Sequence, residues 1–390
     1  MIIDRIQESL RGSGLDGWLF FDHHRRDPLA YRILSIPEDV QPTRRWYYLV
    51  PADGEPRKLV HRIESAALDS LPGRKDAYSS WADQQKKLGD LLSGRSKIAM
   101  QYSPNCAIPY ISLVDAGTLE LVRALGVEVI SSADLIQEFE ARWTDDQFNL
   151  HLEAGKLVDK IRREAFEYIG ELLRAEESIT EYQVQQFVLQ RFEECALAST
   201  THGPIVGVNA NASDPHYEPT RERTSHVRPG DLVLIDLWAK LKQPNAVYYD
   251  ITWTGFCGTG IPARIQNVFE VVRDARKRGS EFAIRKVSSG ERFAGYEVDD
   301  AVRNHIEKCG FGEFFFHRTG HSIGTDVHGT GANMDNLESH DERCVIAGTC
   351  FSIEPGIYLP EFGIRSEVNV YVGNRFARVT GEEQEELARI

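Results

Sequence analysis

Three histidines lie within thirteen residues of the sequence, in the stretch HRTGHSIGTDVHG, where His317, His321 and His328 are spaced four and then seven residues apart. Imidazole side chains bind metal ions and carry protons near neutral pH. The three residues could therefore be metal ligands or proton carriers, or they could be unrelated histidines on one loop. Their density makes this stretch the first candidate for a functional site.

Four acidic residues lie in or beside apolar segments that are typical of β-strands: Asp236 in LVLIDLW, Asp250 in VYYDITW, Glu354 in FSIEPG and Glu367 in IRSEV. Strand interiors disfavour Asp and Glu, and burying four unpartnered charges together would be costly because they repel one another. Any one of them could face solvent on a half-exposed sheet. If all four are buried, either most are protonated or cations lie between them. Two divalent ions, held by carboxylate oxygens and one imidazole, would remove the repulsion.

The acids recur in a pattern that predicts an internal repeat. Gly230 precedes Asp236 by six residues, and Gly348 precedes Glu354 by the same interval. A second acid follows on the next β-like segment in each half, fourteen residues after Asp236 and thirteen after Glu354. Each half also has a histidine upstream, at positions 216 and 328. Two similar β-hairpins with paired acids could therefore face each other across a pseudo-twofold axis.

Helical segments precede each hairpin. One long amphipathic helix is predicted from Thr144, and a second follows with Ser178 and Glu181 as a capping box, so that the pair spans about 145–197. Two more helices are predicted over about 262–309. The first part of the chain instead alternates short helices and strands, which indicates an α/β layer. We therefore predict an α/β fold with two domains, 1–142 and 143–390.

The composition narrows the functional class. The chain has 390 residues and a formal net charge of −14, which argues against nucleic acid and anionic membranes as partners. Its N-terminus does not resemble a signal peptide, and no segment is long and apolar enough for a membrane helix. Six scattered cysteines without a Cys-x-x-Cys pair indicate reduced thiols. These features predict a cytoplasmic protein.

Five motifs together resemble one family: IVGVNANASDPHYEP, DLVLIDLWA with YYDITWTG, HRTGHSIGTDVH, SIEPGIY and GIRSEV. They are similar to motifs of the M24-type metallopeptidases, the creatinase, prolidase and aminopeptidase P group. The resemblance covers roughly 150–390 and implies the pita-bread fold. Residues 1–140 are consistent with the creatinase-like domain that precedes it in this family.

The resemblance assigns roles to individual residues. It implies five metal ligands: Asp236, Asp250, His321, Glu354 and Glu367. It implies that His216 and His328 are catalytic histidines, that Glu354 also transfers protons, and that His317 and Arg365 support the site from the substrate pocket or from behind the ligands.

Two departures from the family pattern are visible. The two aspartates are farther apart than usual, which predicts a longer hairpin turn at LKQPNA, and a glycine follows His328 where the peptidases commonly have an acid. The second departure concerns substrate preference more than metal binding.

The implied function is hydrolysis of the amide bond between an N-terminal residue and proline, as an Xaa-Pro dipeptidase or aminopeptidase, by a hydroxide that bridges two divalent ions. Mn²⁺ is the expected metal, and Co²⁺, Zn²⁺ or Fe²⁺ would also suit the ligands. The partners implied are a small peptide substrate and a second copy of the chain in a homodimer. The alternatives are a creatinase-like C–N hydrolase, another amidase on this scaffold, and a non-catalytic binding protein.

Overall fold

A computed structural model describes residues 2–390 of the chain. It contains two compact units, Met1–Glu140 and Ala141–Ile390. None of the helices in the described part of the chain is long and apolar enough to cross a bilayer.

The first unit is a six-stranded sheet between two helix layers. Its helices are α1 (Ile2–Ser13), α2 (Pro28–Leu34), α3 (Trp81–Leu92), α4 (Ala116–Ala124) and α5 (Ala133–Ile136), and its strands are β1 (Gly17–Asp22), β2 (Trp46–Pro51), β3 (Arg57–His61), β4 (Arg74–Tyr78), β5 (Lys97–Met100) and β6 (Glu128–Ser131).

The strand order of this sheet is β4-β3-β2-β1-β5-β6. Strand β2 is antiparallel to both neighbours and the other pairings are parallel, so the remaining five strands run in one direction. In β1, Trp18 and Phe20 pack on the side of α1 and α2, while Leu19 and Phe21 pack on the side of α3 and α4. A strand covered on both faces explains the continuous apolar segment WLFF.

The second unit contains long helix pairs and two main sheets. Its helices are α6 (Asp145–Arg174), α7 (Glu181–Glu194), α8 (Ala263–Ser289) and α9 (Gly295–Lys308), and its strands are β7 (Ile179–Thr180), β8 (Leu197–Ala198), β9 (Ile205–Val208), β10 (His226–Val227), β11 (Leu232–Leu241), β12 (Tyr249–Phe256), β13 (Ser322–Ile323), β14 (Thr349–Ile353), β15 (Gly356–Tyr358), β16 (Gly363–Arg365), β17 (Val368–Val372), β18 (Ala377–Thr380) and β19 (Ala388–Arg389).

The helix pairs lie where the sequence predicts them, with one difference in capping. Helix α6 begins after Thr144, which forms a capping box with Gln147. Helix α7 is capped by Thr180 with Gln183. The prediction that Ser178 and Glu181 form this cap is wrong by two residues, because Ile179–Thr180 first pairs as a short strand with β10.

The two hairpins of the second unit begin in the same way. Gly230 (φ +92°) and Gly348 (φ +87°) have left-handed backbone conformations just before β11 and β14. The Gly230 N–H donates to the Cys257 carbonyl over 2.6 Å, and the Gly348 N–H donates to the Val372 carbonyl over 2.7 Å. Each glycine thus turns the chain into its strand and closes the ladder with the partner strand. This shared start is the structural counterpart of the repeat seen in the sequence.

Candidate active site

The first hairpin places two aspartates on one face of the sheet. In the antiparallel ladder of β11 and β12, Asp236 is opposite Thr252 and Trp238 is opposite Asp250. Directly opposed residues share a face, as do residues two apart on a strand, so Asp236, Asp250 and Thr252 project to the same side. The fourteen-residue separation of the aspartates therefore still brings both into one site.

The second hairpin supplies the two glutamates. Ile353 pairs with Val368 at the end of the β14–β17 ladder, and Glu354 and Glu367 are the next residues outward. The Glu367 N–H donates to the Thr252 carbonyl over 3.0 Å, which links the second hairpin to the first. Acids from both halves of the repeat thus converge.

A buried cluster of three ligand-type side chains lies where the hairpins meet. Asp250, His321 and Glu367 each offer one donor atom, and these atoms lie within 4.8 Å of one another. The His321 Nε2 atom is 3.5 Å from Asp250 Oδ2 and 3.4 Å from Glu354 Oε1. Asp236 is not one of these three residues, and its Oδ2 accepts from Arg365.

The protonation of His321 leaves one nitrogen lone pair facing the acids of this cluster. Its Nδ1 is 3.1 Å from the Ser322 carbonyl, which can only accept, so Nδ1 carries the proton. Burial also lowers the pKa of His321 well below its usual range, which keeps the ring neutral. The Nε2 lone pair consequently faces two carboxyl groups. A cation at this point would be bound by the lone pair and by both carboxylates.

Two carboxylate oxygens in the site have no hydrogen-bond partner. Within residues 2–390, Asp236 Oδ1 and Glu367 Oε1 are buried and unsatisfied. A buried acceptor without a partner costs roughly 1–3 kcal/mol, and more when it is charged. Oxygen-rich donor sets with one imidazole suit divalent cations, so the residues present fit the metal ions that the sequence implies.

Burial, and after it the mutual repulsion of the acids, shifts the pKa values in this site. Burial raises the pKa of Asp250 and of Glu367 well above the usual range, and the neighbouring carboxylates raise both further. Burial is also the main cause that raises the pKa of Glu354, to about 7. The cluster therefore holds protons near neutral pH, and divalent cations would bind by displacing them.

Arg365 lies behind the acids and connects the two hairpins. Its Nη2 donates to Asp236 Oδ2 over 2.5 Å, and its Nε donates to Thr252 Oγ1 over 3.0 Å. The Thr252 hydroxyl in turn donates to Glu367 Oε2 over 2.9 Å. One guanidinium group therefore orients a carboxylate from each half.

His317 lies at the far end of the same network. The Tyr358 hydroxyl accepts from Arg365 Nη1 over 3.1 Å and is 2.7 Å from His317 Nε2. His317 Nδ1 is 2.7 Å from the Arg318 carbonyl and must be the donor there, so Tyr358 donates its proton to Nε2. Burial lowers the pKa of His317 to about 3, with a further contribution from the charge of Arg365.

His216 and His328 are the solvent-exposed histidines near the cluster. The His328 ring lies edge-on to the His321 ring, with 4.4 Å between centroids. Surrounding protein atoms lower the pKa of His328 to about 4, and the charges of Arg318 and of His216 lower it further. The loop that carries His328 is anchored by Lys240 Nζ, which donates to the Thr325 carbonyl over 2.6 Å.

Sequence reasoning did not assign three residues that contact the ligands or Arg365. Thr252 touches Glu367, Tyr358 touches Arg365, and the Ser352 hydroxyl accepts from the His321 N–H over 3.0 Å and donates to Glu354 Oε1 over 3.3 Å. Thr252 lies two residues after Asp250 in β12, and Ser352 lies in β14 two residues before Glu354, which directly follows that strand, so this spacing predicts a shared face. That spacing is the signal that could have found them.

Comparisons with known proteins point to one family. Residues 149–374 match the sequence profile of metallopeptidase family M24. The Xaa-Pro dipeptidase of Lactobacillus helveticus is 35% identical over 164 residues, which cover 42% of this chain and 40% of that protein. The Xaa-Pro dipeptidase of Pyrococcus horikoshii is 27% identical over 282 residues, which cover 68% of this chain and 76% of that protein. The chain thus spans less than two thirds of the first of these relatives.

Solved structures extend the likeness over the whole chain. Dipeptidase PepE from Mycobacterium ulcerans matches with a TM-score of 0.73 at 22% identity, covering 100% of this chain and 97% of that one. A dipeptidase from Pyrococcus horikoshii OT3 matches with a TM-score of 0.65 at 25% identity and full coverage of both chains. The predicted α/β class and the pita-bread fold are confirmed.

Proposed function

The chain belongs to metallopeptidase family M24, and from this membership we propose that it is a dinuclear metal-dependent exopeptidase that hydrolyses the amide bond between an N-terminal residue and proline. The observation that carries the proposal is the His321 Nε2 lone pair, which faces the carboxyl groups of Asp250 and Glu354 at 3.5 and 3.4 Å. This arrangement supports a ligand set, because one cation would be bound by the lone pair and by both carboxylates at once.

Five residues would hold the ions: Asp236, Asp250, His321, Glu354 and Glu367. When bound, two divalent ions would supply Lewis acidity, which polarises the scissile carbonyl and lowers the pKa of a water molecule. Mn²⁺ is our choice of metal, because the donors are mostly hard carboxylate oxygens.

Glu354 is the acid best placed to move a proton. Its side chain is 16% exposed, against 11% for Asp236 and 7% for Asp250, so it is the most accessible of these three acids. Its carboxylate would accept a proton from the attacking water and deliver it to the departing nitrogen. The Ser352 hydroxyl holds one of its oxygens in place.

The two exposed histidines would stabilise charge on the substrate. The neutral ring of His328 has one N–H, which can donate to the scissile carbonyl oxygen as that oxygen becomes negative. His216 is the second donor of this kind. Neither ring is required to hold a metal ion, so both stay free to contact the peptide.

The substrate class rests on the relatives named Xaa-Pro dipeptidase. An Xaa-Pro bond is a tertiary amide without an N–H, so the enzyme needs no acceptor for that group. We further propose that the protein acts in the cytoplasm as a homodimer, and its six free cysteines suit a reducing compartment.

A substrate and metal screen tests the proposal. The purified protein, loaded with Mn²⁺ or Co²⁺, is offered dipeptides and tripeptides with and without proline at the second position. We expect release of the N-terminal residue from the proline-containing peptides. Turnover of dipeptides alone would define a dipeptidase, and turnover of tripeptides an aminopeptidase. Absence of turnover with every metal and peptide would refute the proposal.

A further inference from the structure

The N-terminal unit has a pocket of about 560 Å³ that the proposed peptidase function does not use. Strands β1, β3 and β4 run in the same direction, and the pocket is lined by residues at or just beyond their carboxyl ends, such as His61 and Ser79. In open α/β sheets, ligands bind in the crevice outside the carboxyl ends of the strands. The position and size of the pocket are both typical of a small-molecule site.

The charge of the pocket lining is opposite in sign to the net charge of the chain. The chain carries a net charge of −14, yet the charged residues that line the pocket include three arginines, Arg26, Arg44 and Arg45, against one carboxylate, Asp115. Arg26 lies 3.9 Å from Asp115, whose oxygens also accept from the start of helix α4. The pocket therefore has an excess of positive charge.

Arg26 donates to the His23 carbonyl over 3.0 Å, whereas the guanidinium groups of Arg44 and Arg45 are largely free to bind a ligand. The side chain of Arg44 donates to the neighbouring Thr43 hydroxyl, and that hydroxyl in turn donates to the Glu64 carboxylate. The side chain of Arg45 has no hydrogen bond or ion pair within residues 2–390. Arginine forks match phosphate and carboxylate groups with two parallel hydrogen bonds.

An aromatic plane lies beside these charges. Trp81 lines the pocket at the first turn of helix α3, and 71% of its surface is exposed, which is exceptional for the largest apolar side chain. The N-termini of α3 and α4 both line the pocket, and their N–H groups add partial positive charge. A ligand with a flat ring and an anionic group would contact both features.

We propose that this pocket binds a small phosphate ester with a planar ring, of mononucleotide size, with its phosphate among the three arginines and its ring on the Trp81 indole. A doubly charged phosphate matches the excess positive charge better than a single carboxylate does. The residues that line this pocket all belong to the first unit, and those of the metal cluster all belong to the second.

Calorimetric titration of the full-length, metal-loaded protein tests the proposal, with adenosine 5′-monophosphate, adenosine, inorganic phosphate and succinate as probes. We expect saturable binding of adenosine 5′-monophosphate at one site per chain, and weaker binding of the other three probes. The double variant R44Q/R45Q should weaken that binding at least tenfold. The control R228Q/R375Q removes two exposed arginines of the second unit and should change it less than twofold.

A third variant separates the ring from the phosphate. W81A should weaken binding of adenosine 5′-monophosphate several-fold and leave binding of inorganic phosphate unchanged. Absence of saturable binding by the nucleotide would overturn the proposal. Undiminished binding by R44Q/R45Q would do so as well, because it would place the phosphate elsewhere, such as at the metal cluster. Succinate binding as tight as that of the nucleotide would show a carboxylate site instead.

Discussion

Replacement of Thr252 by valine is the sharpest test of the arrangement around the acids. The Thr252 hydroxyl accepts from Arg365 Nε and donates to Glu367 Oε2, and the residue is completely buried. Valine keeps the shape of threonine and removes only the hydroxyl. Glu367 would then lose its one side-chain donor, while its other oxygen already lacks a partner.

T252V should lower the affinity for metal strongly and the free energy of unfolding moderately. Hydrogen bonds that orient metal ligands are worth about 10- to 100-fold in metal affinity, which corresponds to about 1.4–2.8 kcal/mol. We therefore expect T252V to bind Mn²⁺ 10- to 100-fold more weakly in equilibrium dialysis against a chelator buffer. Peptidase activity should recover in part at high Mn²⁺ concentration, because the hydroxyl positions a ligand and does not contact the substrate.

Thr254 provides the matched control. It lies two residues further along β12, is also completely buried, and donates its hydroxyl to the Arg365 carbonyl over 2.9 Å instead of to a carboxylate. T254V should cost about 1 kcal/mol of unfolding free energy and leave Mn²⁺ affinity unchanged. Wild-type affinity in T252V, or an equal loss of affinity in T254V, would refute the role given to Thr252.

Three further variants address other parts of the molecule. D250N should lose bound Mn²⁺ and peptidase activity together, and a normal metal content after gel filtration would contradict the ligand assignment. H328Q should keep its metal and lower kcat by roughly 100-fold, as loss of one donor to an oxyanion does; an unchanged kcat would remove His328 from the catalytic site. His151 is completely buried with its pKa lowered to about 4, mainly by desolvation, while its value in the unfolded chain is near 6.5. Only the unfolded chain takes up a proton there as the pH falls from 6.5 towards 4, so the stability present above pH 6.5 is lost across that window. Between pH 7 and pH 5, the wild type should therefore lose about 2 kcal/mol more unfolding free energy than H151Q does, as measured by urea denaturation. Equal losses in the two proteins would disprove this.

The convergence of the acids was predictable because four of them lie in or beside apolar β-like segments. Asp236 lies among Leu234, Ile235 and Leu237, so its carboxyl group needs a partner in the interior. Periodicity also located the helix pairs, since α6 and α8 are long and strongly amphipathic. These signals are local, and each can be read from a few consecutive residues.

The supporting network could not be predicted because it joins residues far apart in the chain. Thr252 contacts Glu367 across 115 positions, and threonine in a strand is common for reasons of propensity alone. Tyr358 is one of many aromatic residues in β-like segments, and only its distance of 2.7 Å from His317 distinguishes it. The cap of α7 was misplaced because a two-residue strand intervenes, which is too short to give a pattern.

The matching glycine starts of the two hairpins have a consequence for how such a centre can arise. Each helix-pair-and-hairpin half contributes two of the four carboxylates, so one half in isolation offers too few oxygens to surround two ions. A shorter chain that encoded only one half could assemble a comparable centre only by pairing with another copy of itself. Two identical copies must contribute identical residues to the centre. When both are joined in a single polypeptide, this constraint is removed, so the first half can have two aspartates and the second His321 and two glutamates.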